Sequence, residues 1–174
     1  MEIKTCSGED INDLLFIAKT SYQDHYTYLW DDEGENYISK NFNLNQLHQE
    51  LANPNAQFYL LYHLKKLVGF LKLNLDSEVN NYSPIEVLEL ERIYFIKEAT
   101  GKGLGKMVLE FVIDLARKRN KKIVWLKAMD SSRSVEFYKK NQFKIVDEMI
   151  LPYEFMKDEF RKIVTMIREI QVTS

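Results

Sequence analysis

The chain has 174 residues, 45% of them hydrophobic and 29% charged, which suits one compact domain over 1–174 and excludes a disordered chain. A formal charge of −2 argues against nucleic acid as a partner, the lone Cys6 excludes an internal disulfide, and His25, His48 and His63 show no metal-ligand spacing. No apolar run nears the roughly 18 residues of a membrane span and Met1–Lys4 has no signal-peptide core, so a cytoplasmic protein with no membrane partner and no metal is expected.

Residues 2–6 read as a short strand. Ser7 to Asp10 offers N-cap chemistry, after which Ile11, Leu14, Leu15 and Ala18 recur at helical spacing. Residues 21–42 read as irregular, rich in aromatics and acids. Leu44, Leu47 and Leu51 predict a short helix ending near Asn53-Pro54. Phe58–Tyr62 and Leu67–Leu75 predict a hairpin about a Lys65-Lys66 turn, followed by a polar loop to Pro84. Val87–Ile96 is a long strand. Gly103–Asn120 is the strongest helix, with Leu104, Met107, Val108, Phe111, Val112 and Leu115 on one stripe. Ile123–Ala128 is a short apolar strand. Asp130 or Ser131 caps a helix running to about Lys140. Phe143–Leu151 reads as a strand, and Phe160–Ile170 as either a final strand or a terminal helix. The order describes an α/β (α+β) domain: a mixed sheet of about seven strands with helices on its faces.

The glycines stand out. There are six, and three are Gly101, Gly103 and Gly105. Thr100-Gly101-Lys102-Gly103-Leu104-Gly105-Lys106 lies between a strand and the strongest helix. Glycine permits φ > 0 and close backbone approach, and a helix N-terminus offers unpaired N–H groups and a positive dipole end. Lys102 and Lys106 suit that end only if an external anion offsets them. Together these features describe a phosphate or pyrophosphate cradle. Taken alone, the cluster reads almost equally as a glycine-rich turn with solvated lysines. The spacing is neither that of a Walker loop nor that of a dinucleotide fingerprint.

That spacing, with its surroundings, resembles the GNAT superfamily of acetyl-CoA-dependent N-acetyltransferases, whose signature is Gln/Arg-x-x-Gly-x-Gly/Ala after the fourth strand. Leu88-Glu89-Leu90-Glu91-Arg92-Ile93-Tyr94-Phe95 resembles that strand, Val124-Trp125-Leu126 the fifth, and Phe137-Tyr138-Lys139-Lys140-Asn141-Gln142-Phe143 the Phe-Tyr-x-x-x-Gly-Phe helix end. Glu-Arg-Ile-Tyr, Gly-Leu-Gly-Lys and Phe-Tyr-Lys-Lys further resemble the PaiA-type polyamine (spermidine/spermine) acetyltransferase branch. The resemblance implies a mostly antiparallel sheet with a splay between strands 4 and 5. Three departures stand out. Thr100 replaces Gln or Arg, Ser131 replaces a frequent Asn, and Gln142 replaces Gly, so that last turn is expected to take another conformation.

The resemblance implies acetyl-CoA as co-substrate, held by Ile93, Tyr94 and Phe95 along the splayed strand, by Thr100, Gly101, Lys102, Gly103, Leu104, Gly105 and Lys106 at the cradle, and by Ser131, Ser134 and Tyr138. Tyr138 is the expected general acid, since a phenol of reference pKa about 10 holds a proton for the leaving thiolate; the plainer reading is an aromatic contact with Phe137. An amine also needs a base. Glu89 and Glu91 stand two apart on one strand face, and Glu91 is favoured, although both read equally as surface carboxylates, one paired with Arg92. A covalent route through Cys6 is not expected.

Tyr22 to Phe42 holds Tyr26, Trp30 and Glu33 as candidate acceptor contacts, among further acids that suit a cationic amine. Aromatics packed on the sheet account for more of this segment than a ligand does. The leading expectation is therefore an acyltransferase acting on a small amine, polyamines first. The alternatives are a CoA-binding regulatory module with little turnover and a protein or peptide N-acetyltransferase. The final segment, 157–174, completes the sheet or pairs with a second subunit, a homodimer being the habit of the family.

Overall fold

The computed structural model describes residues 1–171. Its elements are β1 (Glu2–Thr5), α1 (Ile11–Tyr26), α2 (Glu35–Asn41), α3 (Leu44–Ala52), β2 (Ala56–His63), β3 (Lys66–Asn74), β4 (Val87–Phe95), α4 (Leu104–Lys118), β5 (Ile123–Met129), α5 (Arg133–Lys140), β6 (Lys144–Ile150) and β7 (Lys162–Glu169). The strands form one open sheet in the order β1-β2-β3-β4-β5-β7-β6. Neighbours run antiparallel except β4 and β5, which are parallel.

Alternation along the strands sorts side chains onto two apolar faces. Leu71, Leu73, Leu88, Leu90, Val124 and Leu126 pack with the Leu104, Val108, Val112 and Ala116 stripe of α4. Phe58, Leu60 and Phe70 pack on the other face with Leu14, Ile17 and Ala18 of α1 and Leu47 of α3. Burying two faces requires helices on both, and the order of helices and strands along the chain provides them.

Two irregularities of β4 position the site. Its parallel register with β5 covers only Val87, Leu88 and Glu89 against Ile123, Val124 and Trp125. Beyond those pairs the strands diverge, while β4 runs on to Phe95 beside β3. On the β3 side, Lys72 pairs with Arg92 but Leu73 with Leu90, so Glu91 is the extra residue of a bulge. The bulge cancels one step of the alternation, and the side chains of Glu91 and Arg92 emerge on the same face.

The structure corrects several expectations. Residues 21–42 are not irregular: α1 continues to Tyr26, a 3-10 turn covers Thr27–Leu29, and α2 follows. The aromatics there supply the packing that a short, acid-rich sequence does not signal, with Tyr22, Tyr37 and Phe42 in mutual ring contact. The hairpin turn is Leu64-Lys65, one residue earlier than expected. Both have positive φ, 50° and 63°, between the paired His63 and Lys66, which is the geometry a two-residue hairpin loop demands. The N-cap position of α5 belongs to Ser132 rather than Asp130 or Ser131. Residues Phe160–Ile170 form the strand of the two alternatives, as β7. Gln142 itself adopts φ 68°, so the turn keeps the left-handed conformation that glycine would supply. The end of the 157–174 segment, residues 172–174, lies outside the described residues.

Candidate active site

The glycine segment reaches α4 through two left-handed residues, Gly101 (φ 74°) and Gly103 (φ 75°), the latter at the N-cap position. A Cβ on either would meet no atom within 4 Å. Dihedral freedom rather than crowding therefore requires glycine there, and the space beside the turn is open. Leu104 is buried and anchors the helix start in the core. Leu104 and Gly105 begin α4, where N–H groups lack intrahelical acceptors. The first turn carries no acid; Lys102 is exposed, and Lys106 reaches only its own helix at Glu110, 4.0 Å away. The Thr100 hydroxyl does not face the turn: Oγ1 donates to the Lys97 carbonyl at 2.8 Å.

The second element is the free edge of β4. The Ile96 N–H donates to Val68 on β3 at 2.9 Å. By strand alternation the amides of Tyr94 face β3 as well, and those of Ile93 and Phe95 face the gap that β5 has vacated. Two of the three residues expected to hold the cofactor through their backbone thus present unpaired amides to the splay.

The gap opens into a cleft of about 390 Å³ lined by β4, the distal half of β5, α1, α5 and the loop before β7. Tyr138 enters from α5, only 7% exposed, edge-on to Phe137 and Phe143. The aromatic contact with Phe137 is present, and the residue also lines the cleft. Burial raises its pKa above that of an ordinary phenol. Ser134 also lines the cleft and shares a hydrogen bond with Ser132, whereas Ser131 is exposed outside it.

Glu91 lines the cleft at the bulge and Glu89 does not. Glu89 accepts from Asn74 Nδ2 at 2.7 Å and Ser77 Oγ at 3.0 Å. Glu91 belongs to a buried ion cluster. Lys72 Nζ lies 2.7 Å from both Glu91 Oε2 and Glu50 Oε2, Arg92 reaches Glu50 at 3.0 Å and Glu91 at 3.1 Å, and Asn74 Nδ2 donates to Glu91 at 2.7 Å. Burial opposes ionisation of Glu50, but Arg92 and Lys72 more than offset it and hold its pKa below the ordinary carboxylate range. Sequence reasoning missed Lys72 and Glu50. The available signal was a lysine, now 7% exposed, in the apolar run Leu67–Leu75; its partner on α3 gave none.

On the acceptor side Tyr26 and Trp30 line the cleft with Tyr22, Tyr37, Tyr94 and Tyr153. Trp30 Nε1 donates to Tyr22 Oη at 2.9 Å. Tyr153 comes from the loop before β7, which is tied to α1's end by Asp31 N–H to Phe155 (2.9 Å) and Lys157 N–H to Leu29 (3.0 Å). Glu33 is exposed in a turn outside the cleft. The acids near it are structural: Asp24 accepts from Lys97 N–H, and Asp32 from the N–H groups of Gly34 and Asn36. None of the carboxylates of this acidic segment lines the cleft. Cys6 is a buried thiol, pushed up to about 12 by desolvation, and it does not line the cleft. Among the described residues no group of three His, Cys, Asp or Glu is placed to hold a metal, and no helix is long and apolar enough to cross a membrane.

The sequence model of the acetyltransferase (GNAT) family matches residues 18–143. An uncharacterized N-acetyltransferase from the pepI 3′ region of Lactobacillus delbrueckii subsp. lactis is 30% identical over 142 residues, 79% of this chain and 81% of that protein. The spermidine N(1)-acetyltransferase of Thermoplasma acidophilum is 27% identical over 153 residues, covering 84% of this chain and 90% of its own length. Among solved structures, the PaiA N-acetyltransferase of T. acidophilum in complex with coenzyme A superposes with a TM-score of 0.75 at 24% identity, over 97% of this chain and 98% of that one. At that identity the likeness shows the fold.

Proposed function

The chain belongs to the acetyltransferase (GNAT) family, and from that premise we propose that it transfers the acetyl group of acetyl-CoA to a primary amine of a small molecule, by direct attack in a ternary complex. The observation that carries this reading is convergence: the open edge of β4, Glu91 and Tyr138 border one gap in the sheet, and Gly105 at the start of α4 lies against Phe137, the neighbour of Tyr138 on α5.

The residues present fit acetyl-CoA. Gly101 to Lys106 offer backbone N–H groups, a helix N-terminus and two lysines to a pyrophosphate. Ile93 and Phe95 offer strand-like donors and acceptors to a pantetheine arm, as an added strand would find them. When bound, the cofactor supplies an acetyl thioester. The N–H groups of Ile93 and Phe95 are the donors available to its carbonyl oxygen. Thr100 contributes backbone only, since its hydroxyl is already used.

An amine of pKa near ~10 is protonated at neutral pH and cannot attack. Glu91 accepts that proton through water, its own oxygens being held by Lys72, Asn74 and Arg92. Tyr138 keeps its proton across the working range because burial disfavours the phenolate, and it delivers that proton to the departing thiolate. The aromatic walls orient the amine.

The spermidine acetyltransferase relative supports placing spermidine and spermine in the first acceptor panel. Single-turnover assays with purified protein, acetyl-CoA and a panel of amines test the reading: amine-dependent CoA release is expected. CoA binding without transfer to any amine would instead support a regulatory module.

A further inference from the structure

The charges lining the cleft do not match a polycation. Only Glu91, Arg92 and Lys127 are charged there. Glu91 and Arg92 are closed into the neutral cluster with Lys72 and Glu50, two cations against two anions. Lys127 is different. It is exposed and, among the described residues, has neither a salt bridge nor a hydrogen bond; its ammonium lies 5.9 Å from the Trp125 ring centre. The cleft therefore carries one uncompensated positive charge, and the acids of 24–35 lie outside it.

The position of Lys127 says which ligand meets it. Trp125 is the last β5 residue registered with β4, opposite Glu89. Lys127 is two residues further, so it returns to the face of Trp125, across the splay from Glu91. That is the α1–α3 face. The glycine turn leads into α4, which packs on the other face, so Lys127 stands on the acceptor side rather than at the pyrophosphate cradle. Tyr26, Trp30, Tyr37, Tyr94 and Tyr153 form the remaining walls.

We propose that the acceptor is a monoamine with an apolar or aromatic body and a carboxylate, such as a hydrophobic amino acid, and that Lys127 is the residue that selects the carboxylate. The inference rests on the acetyltransferase reading above and narrows its substrate class. With the amine near Glu91, the carboxylate pairs with Lys127 across the gap. A linear polyamine would instead bring its distal ammonium groups into the same cleft as that cation, a like-charge contact that selects against it.

Two readouts separate this inference from the reading beneath it. Calorimetry on CoA-loaded protein compares N-acetylphenylalanine with N-acetylphenethylamine, matched products that differ in the carboxylate and need no turnover to bind. Initial rates compare phenylalanine, phenethylamine and spermidine as acceptors. In the wild type the carboxylate should improve binding and kcat/KM by about fivefold, the scale of a partly exposed ion pair. Lys127→Ala should erase the preference while leaving CoA affinity unchanged, and Lys127→Glu should reverse it and improve spermidine. Equal use of the matched pair by the wild type, a preference that survives Lys127→Ala, or spermidine as the best wild-type acceptor would each overturn the proposal. Transfer to no amine would overturn the transferase reading, and with it the acceptor assignment, while a binding preference lost in Lys127→Ala would still mark Lys127 as the carboxylate contact of the cleft.

Discussion

Tyr138 and Glu91 are the proton donor and proton acceptor we propose, and their environments differ. Tyr138 is enclosed by rings, and desolvation keeps it neutral. Tyr138→Phe should lower the single-turnover rate by about 100-fold and leave the CoA dissociation constant unchanged; stopped-flow and calorimetry together check both halves. Glu91 lies between the Lys72 ammonium and the Arg92 guanidinium. Glu91→Gln should lower kcat/KM by about tenfold near neutrality. The deficit should shrink as pH rises toward the acceptor's own pKa, because the free amine then needs no base. A pH–rate series on both proteins measures this. The GNAT resemblance pointed to Tyr138, and strand alternation in Leu88–Phe95 put Glu89 and Glu91 on one face. The choice of Glu91 over Glu89 as the cleft residue was not settled there, since a one-residue bulge in β4 has no signature in Leu-Glu-Leu-Glu-Arg. Lys72 was hidden for a related reason: its partner Glu50 lies on another element, and alternation alone shows only an interruption.

Elements show where backbone geometry is held by residues poorly suited to it. α5 ends in a Schellman arrangement: Phe143 N–H donates to Tyr138 C=O and Gln142 N–H to Lys139 C=O, both at 3.0 Å, with Gln142 left-handed between them. Gln142→Gly should raise stability by about 1 kcal/mol, read as an upward shift in urea midpoint. The hairpin tells the same story, with Leu64 at φ 50° and 83% exposed. Replacing Leu64-Lys65 by Asn-Gly should stabilise by about 1 kcal/mol without touching the cleft, so Tm should rise while the transfer rate stays constant. At this scale the sequence showed the strands, α4 and α5 well, because their periodicities are strong. It misjudged 21–42, where the packing residues are tyrosines and a tryptophan whose partners lie on β4 and in the loop before β7. Phe160–Ile170 stayed ambiguous between strand and helix until β5 and β6 were seen to flank it.

For the whole molecule, stability in acid should depend on the ion cluster that joins α3 to β3 and β4. Glu50 has a folded pKa below its unfolded value, so its contribution is present above the ordinary glutamate pKa and is lost as pH falls through the lower folded one. Asp10, held at about 2 chiefly by its hydrogen bond from Lys4 and by the Ser7 N–H, loses its contribution as pH falls from the ordinary aspartate range toward that value. Glu50→Gln should cost about 3 kcal/mol at pH 7 and make Tm fall less steeply as pH drops below the ordinary glutamate pKa; thermal melts across the range check it.

The divergence of β4 from β5 also places an open strand edge in the middle of the sheet, where, among the described residues, no strand pairs with the outer side of Ile93 and Phe95. Such edges recruit other chains. Cofactor occupancy should therefore govern colloidal behaviour as well as catalysis. Protein stripped of CoA should associate more readily at high concentration than protein saturated with it, and light scattering of the two preparations during storage would show the difference.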